Sequence, residues 1–253
     1  MTGDILRKVR HRPWPLPAGP WIMAQSWHDL LFAHWPIPEA EMRDRVPRQL
    51  ELDTFDGWAW VGVVPFRMSG VRPRWMPSLP WLSAFPELNV RTYVTGPAGG
   101  ETRPGVYFFS LEAANPVAVR AARNLFKLPY FDARMSLIET EHAIRYRSRR
   151  THRGAPPADF AATYRPISHR YRSTPDSLDH WLTERYCLYT LDRAGRVLRG
   201  EIHHEPWPLQ LAEAAIATNT MAAASGIELP SMMPLLHFAR RLDVVVWPLR
   251  RVT

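Results

Sequence analysis

The sequence predicts an α+β protein in which a dominant antiparallel sheet closes into a barrel, and three observations carry that prediction. Twenty-five prolines divide the 253 residues into short segments, which favours strands over long helices. About ten of these segments have the alternation or compact apolar character of strands. Only three or four stretches carry helix signals. A composition of 46% hydrophobic and 22% charged residues supplies a sizeable core and excludes a disordered or fibrous chain. With no linker in sight, a single domain is expected over 1–253, its first 22 residues forming an irregular N-terminal arm.

Trp27 to Trp35 is apolar and aromatic, and Glu39 to Val46 is a charged helical turn or two ended by Pro47. Leu50 to Asp53 and Trp58 to Met68 flank an Asp56-Gly57 turn and predict a hairpin. Residues 71–86, with four prolines and three large aromatics, predict an ordered loop. Glu87 to Val94 alternates strictly, Gly99 and Gly100 mark a turn, and Val106 to Leu111 reads as a buried strand. The strongest helix runs from Asn115 to Lys127, with Asn115 as N-cap, Pro116 at the first helical position and Pro129 forcing its end. Strands resume at Met135–Glu139, His142–Arg149, Phe160–Ile167, Glu184–Leu191 and Val197–His204, and the last is Asp243–Trp247. A short helix is expected at Ser177–Leu182 and an Ala-rich helix around Ala212–Ala224.

One cysteine, Cys187, excludes an intrachain disulfide and a cysteine metal cluster. The basic N-terminus runs into PWPLPAGP where a signal peptide needs an apolar run, and no stretch is long enough for a membrane helix. A soluble cytoplasmic protein without membrane contact is expected. The net charge of +8 invites a nucleic-acid reading. Its basic residues are nearly all arginines spread along the chain, however, with only Lys8 and Lys127 as lysines. The segments 145–153 and 165–172 place Arg145, Arg147 and Arg149 on one face, which a solvated or oligomer-contact surface explains better than phosphate binding. No Walker, GxGxxG or GxSxG motif supports a phosphate cradle, Rossmann cofactor or serine-hydrolase elbow.

The strand from Glu87 puts Glu87, Asn89, Arg91 and Tyr93 on one face and Leu88, Val90, Thr92 and Val94 on the other. Pattern alone favours a solvent-facing sheet. The sharper alternative is a polar site inside a barrel, where an acid, an amide, a guanidinium and a phenol bind a carboxylate or carbonyl and move a proton. Arg120, Arg123 and Lys127 share a helix face whose ordinary role is solvation. The LPYF corner after that helix can aim Tyr130 at a pocket. His203 and His204, adjacent on a strand, point to opposite faces and make a poor metal pair, and His34 reads as a core or rim histidine.

Several ordered segments carry a resemblance: SWHDLLFAHWPIP, LELDTFDGWAWVGVVPFRM, FPELNVRTYV, GVYFFSLEA, ARNLFKLPYFDARM, and LTERYCLYT followed by RGEIHHEPWPLQ. Across residues 25–215 the chain resembles the YqjF-like family of uncharacterised conserved bacterial proteins. That family is remotely similar to the acetoacetate decarboxylase superfamily, echoed here in VPRQLEL, FPEL and RNLFKLPYF. The resemblance implies an antiparallel cone-shaped barrel with a few flanking helices around a small pocket, Glu87 in the position of an active-site glutamate, and assembly as a homo-oligomer. It departs at the corner, where the superfamily has two lysines and this chain has Tyr130 and Phe131. A phenol forms no imine, so decarboxylation through a Schiff base is closed by that route.

The expectation is therefore a small-molecule-binding barrel in which Glu87, Arg91 and Tyr130 carry a lyase-, hydratase- or isomerase-type step. Asn89, Tyr93, Arg123, Lys127, His34 and His204 are expected to help bind the ligand, with no metal and no cofactor. The alternatives are a non-catalytic ligand-binding or sensing module and a basic nucleic-acid-interacting protein.

Overall fold

The computed structural model describes residues 2–79, 83–97 and 102–252. In chain order its elements are α1 (Thr2–Ile5), β1 (Met23–Pro38), α2 (Glu39–Arg43), β2 (Glu51–Leu52), β3 (Trp58–Pro73), β4 (Phe85–Thr95) and β5 (Gly105–Ala113). These are followed by α3 (Pro116–Leu125), β6 (Tyr130–Glu139), β7 (Ile144–Arg150), β8 (Asp159–Pro166) and α4 (Leu178–Thr183). The chain ends with β9 (Cys187–Leu191), β10 (Val197–His203), β11 (Leu209–Asn219), a 3-10 turn at Ala223–Ser225, β12 (Leu235–Val246) and β13 (Arg250–Arg251). The Gly99-Gly100 turn and residues 80–82 of the expected 71–86 loop lie outside the described residues.

Nine strands close on themselves in the order β5-β6-β7-β8-β11-β12-β1-β3-β4, with β4 pairing back to β5. A second circuit shares one wall with the first: β5 also pairs with β9, β9 with β10, and β10 with β12, giving a seven-strand ring through β1, β3 and β4. All pairings are antiparallel except β5–β6 and β5–β9. Closure removes sheet edges that would otherwise expose unpaired backbone groups. The larger ring is filled by side chains, among them Leu31, Ala33, Leu88, Val90, Tyr146 and Phe160.

Strand parity decides which residues enter which ring. On β4 the alternation is unbroken, so Leu88, Val90 and Val94 join the packed core while Glu87, Asn89 and Arg91 face the smaller ring. On β1 the register slips between His28 and Ala33, and Asp29 takes a left-handed φ of 56°. The inserted residue switches the face, so that Trp27 and Leu30 line the same space although their spacing is odd. Asp29 is fixed in place by Arg240 at 2.8 Å and Arg67 at 3.3 Å.

The helix over 116–125 begins as expected, with the Asn115 side chain accepting from the backbone N–H groups of Val117 and Ala118. Two expectations are corrected. The Ala-rich segment around 212–224 is mostly strand: β11 pairs with β8 from Ala212 to Asn219, and only Ala223–Ser225 is helical. Its small side chains fit a half-buried sheet, and tertiary pairing overrides the alanine propensity. The segment at 50–53 does not form a hairpin with β3, because β2 pairs with β4. The Asp56-Gly57 turn is real, with φ of 50° and 78°, but it closes only a bridge between Phe55 and Trp58. The N-terminal arm holds one short helix and is tied down by Arg12, which pairs with Glu201 at 3.0 Å. No helix among the described residues is long and apolar enough to cross a membrane.

Candidate functional site

The smaller ring encloses a cavity of about 420 Å³, within the range of small-molecule pockets, roughly 300–1,000 Å³. Most of its wall is apolar; the polar groups come chiefly from β4, from the corner after α3 and from the end of α4 and the segment after it, with Gln25, Ser83, His204 and the indoles of Trp27 and Trp207 also on the wall.

Glu87 is fully enclosed at 2% exposure, and Tyr130 donates a hydrogen bond to its Oε2 at 2.8 Å. Burial, opposed by the Tyr130 bond and reinforced by the nearby Glu112 carboxylate, pushes the Glu87 carboxyl up to about 8. It therefore holds a proton at neutral pH. The same enclosure pushes the Tyr130 phenol well above its ordinary value, so Tyr130 stays a donor. Tyr130 is placed by β6, which starts beside β5 with Leu111 opposite Tyr130. Arg123 donates to the Tyr130 carbonyl at 2.7 Å and steadies this corner from outside.

Two guanidinium groups meet at the other end. Arg91 and Arg185 lie 5.7 and 4.9 Å from the centre of the Tyr93 ring. Arg185 is anchored to Asp53 at 2.5 Å and to the Trp181 carbonyl at 2.6 Å, yet its Nη2 is buried without a partner. Arg91 reaches only the Tyr93 hydroxyl at 3.5 Å and the Leu182 carbonyl at 3.4 Å, and its Nε is unpartnered. Among the described residues no carboxylate pairs with Arg91. Asn89 Oδ1 and the indole N–H groups of Trp27 and Trp207, also on the wall, are buried and unsatisfied as well. Orphaned buried polar groups cost about 1–3 kcal/mol each; clustered in a cavity, they are the groups a polar ligand would satisfy.

The remaining expected residues divide. His204 lines the cavity, stacks on Tyr186 at 4.7 Å, and is held below its ordinary value by burial. His203 points the opposite way, toward the Ile5 carbonyl at 2.9 Å and the His11 ring. Tyr93 and His34 are fully buried beneath the floor and are not part of the wall. The Tyr93 hydroxyl donates to the Leu182 carbonyl at 2.9 Å and sits 2.7 Å from His34 Nε2. Its one hydrogen is thereby used, so His34 Nε2 is the donor to it. Burial and the nearby Arg91 charge hold His34 well below its ordinary value, keeping the ring neutral. Gly62 makes room for this floor: a Cβ there would stand 2.9 Å from the His34 ring and 3.5 Å from Arg91 Cγ.

Arg123 and Lys127 are exposed and absent from the wall; Lys127 donates to the Asn124 carbonyl at 2.5 Å. Lys8 pairs with Glu205 at the surface. Neither lysine reaches the cavity. Arg145, Arg147 and Arg149 are exposed on β7, outside the ring. Sequence reasoning passed over Arg185, Thr183, Trp27 and Trp207 as site residues, all of which line the cavity. Trp207 is positioned by Glu184, whose carboxylate accepts its backbone N–H at 2.8 Å, and stacks on Trp27 at 5.8 Å.

Comparison with known proteins agrees with this architecture. The Bacillus subtilis (strain 168) protein described as uncharacterized protein YqjF is 50% identical over 236 residues, covering 93% of this chain and 95% of that protein. Among solved structures, the enduracididine biosynthesis enzyme MppR complexed with pyruvate matches with a TM-score of 0.59 at 11% identity, covering 94% of this chain and 93% of that one. The acetoacetate decarboxylase of Legionella pneumophila subsp. pneumophila str. Philadelphia 1 matches with a TM-score of 0.57 at 14% identity, over 96% and 93% of the two chains. The fold is therefore acetoacetate decarboxylase-like. Residues 24–243 match DUF2071, described as an uncharacterized conserved protein, and the chain belongs to that family.

Proposed function

We propose that the cavity binds a small carboxylated carbonyl compound and catalyses a proton-transfer step of the lyase, hydratase or isomerase type without a Schiff base. The observation that carries this reading is the pairing, in one cavity, of a protonated Glu87 bonded to Tyr130 with an Arg91 guanidinium that lacks a counter-charge. Arg91, backed by Arg185, is the group for the carboxylate, since a half-buried cation with no counter-charge and an unpartnered, buried Nε gains most from an anion. Glu87 is the proton carrier: as the acid it protonates a carbonyl oxygen or adjacent carbon, and as the carboxylate it takes the proton back. A group titrating near 8 is suited to both directions around neutral pH. Asn89 and Tyr130 orient the reacting group. Imine chemistry has no support, because neither Lys8 nor Lys127 lines the wall. The neighbour MppR, described in complex with pyruvate, makes keto acids the first probes.

The test is hydrogen–deuterium exchange at the carbon beside the carbonyl of pyruvate and acetoacetate, followed by NMR in D2O. Exchange lost in Glu87→Gln and weakened by Arg91→Ala supports the enzyme. Binding without exchange in the wild-type protein would replace it with the ligand-binding module.

A further inference from the structure

The polar groups account for only part of the cavity wall, and the rest narrows the class of ligand. Phe85, Glu87, Asn89 and Arg91 are successive residues on one face of β4, so a rise of about 3.3 Å per residue puts roughly 20 Å between the Phe85 and Arg91 backbones. Toward Phe85 the wall is largely apolar: Met68, opposite Phe85, and Val71 of β3 line it, as does Phe126 after α3, and the Ser83 hydroxyl there accepts from the Leu79 N–H. The rim continues in kind. Helix α3 contributes Val117, Ala121 and Leu125 at intervals of four residues, one stripe of the helix, and the segment after β3 contributes Met76 and Leu79. Val117 is 54% exposed, Leu125 70%, Met76 52% and Leu79 41%. Contiguous exposed apolar groups of this kind mark binding surfaces. They are continuous with the cavity that ends at Arg91 and Arg185. A three-carbon keto acid held at Arg91 would leave that whole apolar length facing water.

We propose that the ligand is an apolar-tailed oxo acid; this rests on the reading of the cavity as a site for carboxylated carbonyl compounds. The carboxylate lies against Arg91 and Arg185, the oxo group lies beside Glu87 and Tyr130, and an alkyl tail runs past Phe85 to the α3 stripe. Each methylene placed along this wall leaves water, which strengthens binding by about three- to fourfold.

Calorimetric titration with pyruvate, α-ketohexanoate and α-ketooctanoate tests this on the wild-type chain and on Leu125→Glu, Val117→Glu and Arg91→Ala. The two rim variants alter exposed side chains and are expected to keep the wild-type Tm. Affinity is expected to climb with chain length in the wild-type protein and in Arg91→Ala, shifted weaker throughout in the latter. Leu125→Glu and Val117→Glu are expected to remove the gain for α-ketooctanoate and leave pyruvate unchanged. Arg91-dependent binding that is flat with chain length overturns the tail while the carboxylate site stands. A chain-length series whose affinities are the same in Arg91→Ala as in the wild-type protein overturns the carboxylate site instead. A change in sedimentation of Leu125→Glu with an unaltered affinity series would assign the rim to a second copy of the chain, and overturns the proposal.

Discussion

The two rings share β12, β1, β3, β4 and β5 and are filled in opposite ways. The nine-strand ring is packed with aliphatic and aromatic side chains, whereas the seven-strand ring keeps a cavity several of whose polar atoms lack partners. Strand β4 belongs to both: Val90 and Asn89 are adjacent in sequence and contribute to different interiors. One ring gives up binding space for stability, and the other leaves hydrogen-bonding capacity unused within the stability the first supplies. The packed ring thereby acts as a rigid mount for the polar face of β4, which is what pre-organised chemistry requires.

The contrast breaks most visibly at adjacent residues. Val90→Asp places an unpaired charge in the packed ring and is expected to cost upwards of about 4 kcal/mol. Asn89→Leu, one residue away, removes an orphaned acceptor and is expected to change stability by less than about 1 kcal/mol while weakening pyruvate binding. Chemical unfolding of both variants checks the pair. Equal losses would mean that the two faces are not energetically distinct.

Glu87 sharpens the comparison through pH. Its carboxyl is raised from 4.5 to about 8 in the folded chain, so the folded state binds the proton more tightly than the unfolded state. Its contribution to stability is complete below pH 4.5, declines at about 1.4 kcal/mol per pH unit as pH rises toward 8, and is flat beyond. His203 acts with the opposite sign: lowered to about 4 by burial, it costs stability as pH falls from 6.5 toward 4. Glu87→Gln is therefore expected to gain on the wild-type protein steadily between pH 4.5 and 8, read as the difference of urea unfolding free energies. A difference independent of pH would mean that Glu87 is ionised in the fold.

Arg91→Ala is expected to weaken pyruvate binding about 10- to 100-fold, the range for a hydrogen bond to a charged group, with little change in Tm because Arg91 makes no short hydrogen bond. A large fall in Tm with unchanged affinity would make it a structural group of the floor.

The polar face of β4 was legible because its alternation has no bulge, and the α3 cap was legible because Asn-Pro is a local signal. What escaped depended on contacts distant in sequence. The face switch at Asp29 becomes visible only when β3 and β12 are set beside β1. Arg185 was hidden because its pull toward Tyr93 and Asp53 joins segments far apart in the chain. The segment 212–224 misled because alanine propensity is local while the pairing with β8 is not. Arg123 lies on the right helix but on its outer side, and Lys127 lies past the end of that helix, distinctions periodicity alone does not settle.

The smallest expected effect tests the boundary of the cavity. Lys127 follows α3 with a left-handed φ of 53°, and its amine is tied to the Asn124 carbonyl outside the wall. For an imine to form on a ligand held at Arg91, the end of α3 would have to unwind and carry the amine inward past Leu128, which is buried on the cavity wall. Incubation with pyruvate and then borohydride is therefore expected to leave the intact mass of the protein unchanged. A stoichiometric adduct that Lys127→Ala abolishes would show that the α3 corner moves into the cavity. The seven-strand ring would then be open at the corner that here holds Tyr130 against Glu87, and its contrast with the packed ring would extend from unused polar groups to a moving wall.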